Sequence, residues 1–359
     1  MIPVTKSYLP PFEDYQARLE QIWRAGWLTN NGSLVKELTG ELCKYFGIKQ
    51  LELVANGTLA LQLAIKALNL TGEIITTPFT YVATATSIVW EGCTPVFVDI
   101  DESSFCINSE LIEKAITERT TGIMATHVYG NPCDVETIKK IARKYSLKVI
   151  YDAAHCFGVK IDGQSILLHG DISTLSFHAT KLFHTAEGGA IVCRDEKISK
   201  HISLMKKFGH HGEDRYLEVG INAKMSELHA AMGLCVLPKV DEIIVSRRNC
   251  AEYYNKLLDG AGLGRQHIPA GVEYNYGYYP VLFPDHERMM RVRQALIDNG
   301  IMPRRYFYPS LNTLPFLSSH GQRPCPVSES VVKRILCLPI YFGLEHSDIE
   351  QICKIILNP

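Results

Sequence analysis

Two hydrophobic rhythms alternate along the first half of the chain. Leu34, Val35, Leu38, Leu42 and Phe46 recur at helical spacing, and Gly47 follows them, which predicts a helix that ends at that glycine. An apolar strand at 51–54 precedes a second helix, rich in Ala and Leu, at 59–68. Further strands are predicted at 73–77, 95–99, 122–126, 147–151 and 174–177. Helices fall between them at 80–90, at 111–116, and from a cap at Asp134 to about residue 145. Alternation of this kind predicts an α/β fold, a mostly parallel sheet with helices on both faces.

The rhythm changes near Pro238. Residues 225–237 read as a helix, and Pro238 suits the first turn of another, which runs to about residue 258. Beyond it, strands at 278–283 and 301–305 flank a helix at 287–298. Ser347 and Glu350 form a capping box ahead of a last apolar run. The expected organisation is a large domain over 1–237, whose N-terminal segment can cover the active site, and a smaller α+β domain over 238–359. There are no internal repeats.

Composition narrows the function. With 46% hydrophobic and 21% charged residues, the 359-residue chain can build a sizeable core. A formal net charge of −1 supplies no field for nucleic acid or an anionic membrane; an anionic substrate must be held by local groups. The eleven cysteines are scattered, none in a C-x-x-C pair, and several, such as Cys193 and Cys235, sit in apolar runs. That pattern predicts reduced thiols in a reducing compartment and no metal site. The first fifteen residues contain Pro3, Pro10 and Pro11 and no signal-peptide core, and no apolar stretch spans a bilayer. The expected location is the cytoplasm.

The chemistry gathers around Lys181. It follows Ser176-Phe177-His178-Ala179-Thr180 and precedes Glu187-Gly188-Gly189, while Asp152 ends an apolar run 29 residues upstream. A lysine forms imines with aldehydes and loses its proton readily when desolvated. A carboxylate at a strand's carboxyl end can keep a pyridine nitrogen protonated. Asn56-Gly57-Thr58 stands between a strand and a helix, where free N–H groups suit a phosphate. Tyr81 follows a strand end and can stack on a ring. Asn222 precedes a helix and carries an amide donor. Each residue taken alone also fits a plainer role: Asp152, Asn56 and Asn222 as caps, Tyr81 as a core aromatic, Lys181 as solvated surface. Their order and spacing argue for pyridoxal phosphate chemistry.

In that order, over nearly the whole chain, these motifs resemble the DegT/StrS-type nucleotide-sugar aminotransferases. The likeness runs through residues 26–32, Asn56-Gly57-Thr58, 78–84, 95–101, His127-Val128-Tyr129-Gly130, Asp152-Ala153-Ala154-His155, 176–189 and 220–233. It implies fold type I, with a mostly parallel seven-stranded sheet, pyridoxal 5′-phosphate as cofactor with pyridoxamine phosphate as its alternate form, and a homodimer with shared active sites. It implies that Lys181 binds the cofactor's aldehyde, Asp152 pairs with the ring nitrogen, His155 lies near the ring hydroxyl and Tyr81 stacks on the ring. Gly57, Thr58 and Ser176 would hold the phosphate, and Asn222 the phosphate of the other subunit. Thr29 and Tyr306 are candidate substrate contacts.

The chain departs from the family at Lys224, where arginine is usual, and at Asn56, where the phosphate turn usually reads Ser-Gly-Thr. A dehydratase branch carries histidine in place of the cofactor lysine; here Lys181 keeps the register. Glu187-Gly188-Gly189, 27–32 and 304–309 look most like the branch that makes dTDP-4-amino-4,6-dideoxyglucose from dTDP-4-keto-6-deoxyglucose and L-glutamate, releasing 2-oxoglutarate. Such amino sugars serve pathways such as lipopolysaccharide O-antigen synthesis. The competing expectations are a 3-aminotransferase on a dTDP-3-keto-6-deoxy sugar, an enzyme using a UDP- or GDP-sugar, and a non-catalytic cofactor-binding regulator.

Overall fold

The computed structural model describes residues 1–320 and 323–359. Seven strands form the central sheet: β1 (Glu52–Val54), β2 (Glu73–Thr76), β3 (Thr94–Phe97), β4 (Thr120–Thr126), β5 (Lys148–Asp152), β6 (Ile172–Ser176) and β7 (Gly189–Cys193). Their spatial order is β1-β7-β6-β5-β4-β2-β3. The pairs among β2 to β6 are parallel, whereas β7 runs antiparallel to both β6 and β1. Strands covered on both faces lose the alternation of a half-exposed sheet, and β2 and β7 are buried at every position.

Helices α1 (Phe12–Ala25), α2 (Ser33–Phe46), α3 (Gly57–Ala67), α4 (Val82–Trp90), α5 (Val135–Tyr145), α6 (Glu196–Met205) and α7 (Glu227–Val236) cover this sheet. Gly47 closes α2 with φ of 64°, a left-handed cap at which glycine carries no Cβ penalty. Asp134 caps α5 by accepting the Thr137 N–H. Within 111–116 the helix is short, Ser109–Ile112 followed by one 3-10 turn. The first helix, α1, lacked a clear sequence signal because Ile22 is its one buried residue.

Pro238 sits in a 3-10 turn, Leu237–Lys239, that leads into α8 (Val240–Leu257). After it come β8 (Tyr279–Leu282), α9 (His286–Asp298), α10 (Pro326–Arg334), β9 (Ile335–Leu338) and α11 (His346–Leu357). β8 and β9 pair antiparallel. The strand expected at 301–305 shortens to Ile301–Met302, which pairs with Ile2–Pro3 from the chain's start; Arg304 makes a single bridge to Cys337. The capping box expected at Ser347 does not form. Glu345 is the N-cap without a side-chain bond, and Ser347 already lies inside α11, past the position that can serve the first free N–H groups. All eleven cysteines are free thiols, with only Cys43 and Cys235 partly exposed. No helix among the described residues is long and apolar enough to cross a membrane.

Candidate active site

The carboxyl ends of β5 and β6 and the start of α3 converge on a cavity of about 570 Å³. Asp152 closes β5 and is 6% exposed. Its Oδ1 accepts the Ala154 N–H at 3.1 Å, and its Oδ2 accepts the Thr84 hydroxyl at 2.7 Å. Behind Thr84 stands Thr80 at 3.0 Å, itself 3.0 Å from Thr126. Burial pushes the Asp152 carboxyl up from its ordinary range, while Thr84, the Ala154 amide and the charge of Lys181 pull it back down.

Lys181 is half-buried and opens onto the same cavity. Desolvation pushes its amine below the usual lysine value, and the nearby Asp152 carboxylate opposes that shift. Its Nζ donates to the Tyr278 hydroxyl at 3.2 Å. His155, also buried, accepts the Tyr129 N–H at Nδ1 across 3.0 Å. Burial, with the charge of Lys181 adding to it, holds that imidazole well below its ordinary pKa, so it stays neutral.

The phosphate end is built from backbone. Asn56 caps α3 by accepting the Leu59 N–H at 2.9 Å, which leaves the first amides of the helix free of intrahelical partners. A Cβ at Gly57 would stand 2.9 Å from the Ser176 Cβ; the missing side chain is what keeps the cradle open. Gly189 explains the glycine pair of the motif: a Cβ there would meet the Asn56 carbonyl carbon at 2.7 Å, so β7 can lie against the turn only as glycine.

Pyridoxal phosphate suits this donor set. One amine depressed by burial, one buried carboxylate on the cavity floor and an open helix N-terminus flanked by Thr58 and Ser176 match its aldehyde, ring nitrogen and phosphate in turn. Tyr81, 60% exposed, offers an aromatic face at the rim.

Of the residues expected from sequence, Gly57, Thr58, Tyr81, Asp152, His155, Ser176, Lys181 and Tyr306 share the cavity wall. Thr29 and Asn222 do not line it. Asn222 bridges Lys207, and its side chain accepts from Lys224 Nζ at 2.6 Å. Lys224, with Asn30 and Asn31, lines a separate cavity of about 830 Å³. The N-terminal segment touches the Lys181 loop: Ser7 donates to the Ala179 carbonyl at 2.6 Å, and His184 Nε2 bonds the Tyr8 carbonyl at 2.7 Å. Sequence reasoning missed Thr80, Thr84, Tyr278 and Phe307, whereas Arg304, within the 304–309 stretch, also lines the cavity. The hydroxyls of Thr80 and Thr84, four residues apart at a helix start, were a usable signal; Tyr278 had none.

Comparison with known proteins places this geometry. Residues 12–357 match the DegT/DnrJ/EryC1/StrS aminotransferase family. A dTDP-4-amino-4,6-dideoxy-D-glucose transaminase of Shigella dysenteriae is 43% identical, over 98% of this chain and 97% of its own. A transaminase of the same description from Escherichia coli is 41% identical, over 99% of this chain and 98% of its own. The crystal structure of DesI, determined in the presence of its TDP-sugar product, superposes with a TM-score of 0.94 at 30% identity, covering 99% of this chain and 92% of that one.

Proposed function

The chain belongs to the DegT/DnrJ/EryC1/StrS aminotransferase family, and from that premise we propose that it transfers the amino group of L-glutamate to C4 of dTDP-4-keto-6-deoxyglucose. The products are dTDP-4-amino-4,6-dideoxyglucose and 2-oxoglutarate. The end-to-end likeness to transaminases of that description carries the reading.

Its cofactor is pyridoxal 5′-phosphate. When bound, the cofactor supplies an electron sink that acidifies the α-proton of an amino acid. The protein supplies the rest. Asp152, held by Thr84 and the Ala154 amide, would keep a proton on the ring nitrogen. The start of α3, with Gly57, Thr58 and Ser176, would hold the phosphate. Tyr81 would cover the ring, with the neutral His155 beside it. Lys181 would hold the aldehyde at rest. Once freed, its Nζ takes the α-proton of the donor, a task that needs the unprotonated amine and so benefits from desolvation. For the sugar half-reaction the same atom works in reverse. Tyr306, on the cavity wall, is the proposed sugar contact.

The working unit we propose is a homodimer in the cytoplasm. Asn222 stands away from its own chain's cavity and is assigned to the cofactor phosphate of the second subunit; Thr29 is assigned to the substrate. The test is spectral. L-Glutamate added to the wild-type holoenzyme is expected to bleach the lysine-bound chromophore and release one equivalent of 2-oxoglutarate per site. An unchanged spectrum with glutamate, but conversion with another amino donor, would replace the donor; no conversion with any would remove the activity.

A further inference from the structure

Lys181 has to be both mobile and aimed. It leaves its resting link, takes a proton and gives it up again, on a flexible four-carbon arm. Among the described residues, the hydrogen bond recorded for Nζ goes to the hydroxyl of Tyr278, 97 residues further along the chain.

The loop that brings Tyr278 there is fixed at several points. The Tyr274 hydroxyl donates to the Tyr129 carbonyl at 2.9 Å. Asn275, 1% exposed, donates to the carbonyls of His155 and Phe157 at 2.8 and 2.9 Å and accepts the Gly277 N–H at 3.0 Å. From the other side Arg247 donates to the Gly277 carbonyl at 3.1 Å. Arg247 is 3% exposed, and its Nε has no partner among the described residues. Burying a cation without a counter-ion is costly, and here that cation is committed to the carbonyl next to Tyr278. The ring is held as well, 4.7 Å from His155, 5.3 Å from Tyr129 and 5.7 Å from Tyr306, centroid to centroid.

We propose that Tyr278 is the positioning residue of Lys181: its hydroxyl holds the freed amine in line for proton transfer without charging it. This rests on the reading of Lys181 as the proton-carrying base. A carboxylate at the same place would hold the lysine as an ammonium, which has no lone pair to accept a proton. A neutral phenol accepts one N–H and leaves the lone pair free. Burial pushes the phenol's pKa upward, so it remains protonated through the neutral range. In the transfer, the proton leaves the α-carbon, rests on Nζ and departs from Nζ; Tyr278 gains and loses none.

The test is Tyr278→Phe in the holoenzyme, which keeps the ring packing and deletes the oxygen. Cofactor occupancy and KM for the nucleotide sugar are expected to stay within about twofold, while kcat falls about 10- to 100-fold, the size of effect a misaimed catalytic group produces. The rate ratio between glutamate and α-deuterated glutamate is expected to rise, because proton transfer becomes the slow step. An active wild type beside a variant of equal kcat and equal isotope ratio overturns the role of Tyr278 alone; an inactive wild type overturns the functional reading instead. If Tyr278→Phe loses its cofactor or its fold, 3-fluorotyrosine in place of Tyr278 is the second measurement. It keeps the shape and makes the phenol oxygen a weaker acceptor for the Nζ–H bond. kcat is expected to fall and the isotope ratio to rise, and values equal to wild type overturn the proposal.

Discussion

Thr84 donates its hydroxyl proton to Oδ2 of Asp152 across 2.7 Å, from the first turn of α4 into the end of β5. The bond ties the helix start to the carboxylate that the cofactor ring needs. It also opposes the burial that pushes that carboxyl up. Hydrogen bonds to charged groups are worth about 1.5–3 kcal/mol.

Replacing Thr84 by Val is therefore expected to push the Asp152 carboxyl further up. The acid limb of kcat/KM moves to higher pH, and cofactor affinity drops roughly tenfold, the equivalent of about 1.4 kcal/mol. A pH–rate profile and a cofactor titration check both. An acid limb that stays in place would count against the bond's role.

Gly57→Ala puts a methyl where the Ser176 Cβ lies 2.9 Å away. Both the turn and Ser176 must shift, so the phosphate cradle widens or fills. Equilibrium dialysis is expected to show cofactor binding weaker by at least about tenfold, within the range that overpacking costs. Binding equal to wild type would show that the phosphate lies elsewhere.

Glu227 is 1% exposed, and its carboxylate accepts the free amides of Leu34 and Val35 at 2.8 and 3.1 Å. It caps α2 from a residue in α7. Glu227→Gln removes the charge facing the helix N-terminus and offers one acceptor oxygen for two donors. The expected loss is about 1–3 kcal/mol of stability, read as a lower urea midpoint with an unchanged slope. A midpoint equal to wild type would contradict the cap.

His127 is fully buried, stacks on Tyr151 at 4.5 Å and accepts the Cys133 N–H at 3.0 Å. Burial pushes its pKa down to about 3. The unfolded chain takes up a proton below about pH 6.5 and the folded one does not, so stability falls as pH falls from there towards 3. The slope is about 1.4 kcal/mol per pH unit for this residue. Urea unfolding of wild type and His127→Asn between pH 7 and pH 5 is expected to show the steeper decline in wild type. Asp152 works in the opposite sense but cancels in that difference. Parallel lines would refute the assignment.

Much of the fold was legible because its signals are local. Leu34 to Phe46 repeat at helical spacing and end at Gly47, and the sheet strands are short apolar runs between helices. α1 escaped because it packs through Ile22 and leaves most of its length exposed. The box at Ser347 misled because the pattern of residue types also occurs one step inside a helix. Lys181, Asp152 and the turn at Gly57 were legible through neighbours within a few residues. Tyr278 was not, because its role depends on a loop whose anchors, Tyr129, His155, Phe157 and Arg247, are scattered along the chain.

The central claim is where the nitrogen goes. Purified holoenzyme incubated with ¹⁵N-labelled L-glutamate and dTDP-4-keto-6-deoxyglucose is expected to yield a nucleotide sugar whose NMR spectrum couples the ¹⁵N to the proton at C4, with a Lys181→Ala variant giving no turnover. Label on C3, or a ketosugar returned unchanged by an enzyme that carries its cofactor, would contradict the account.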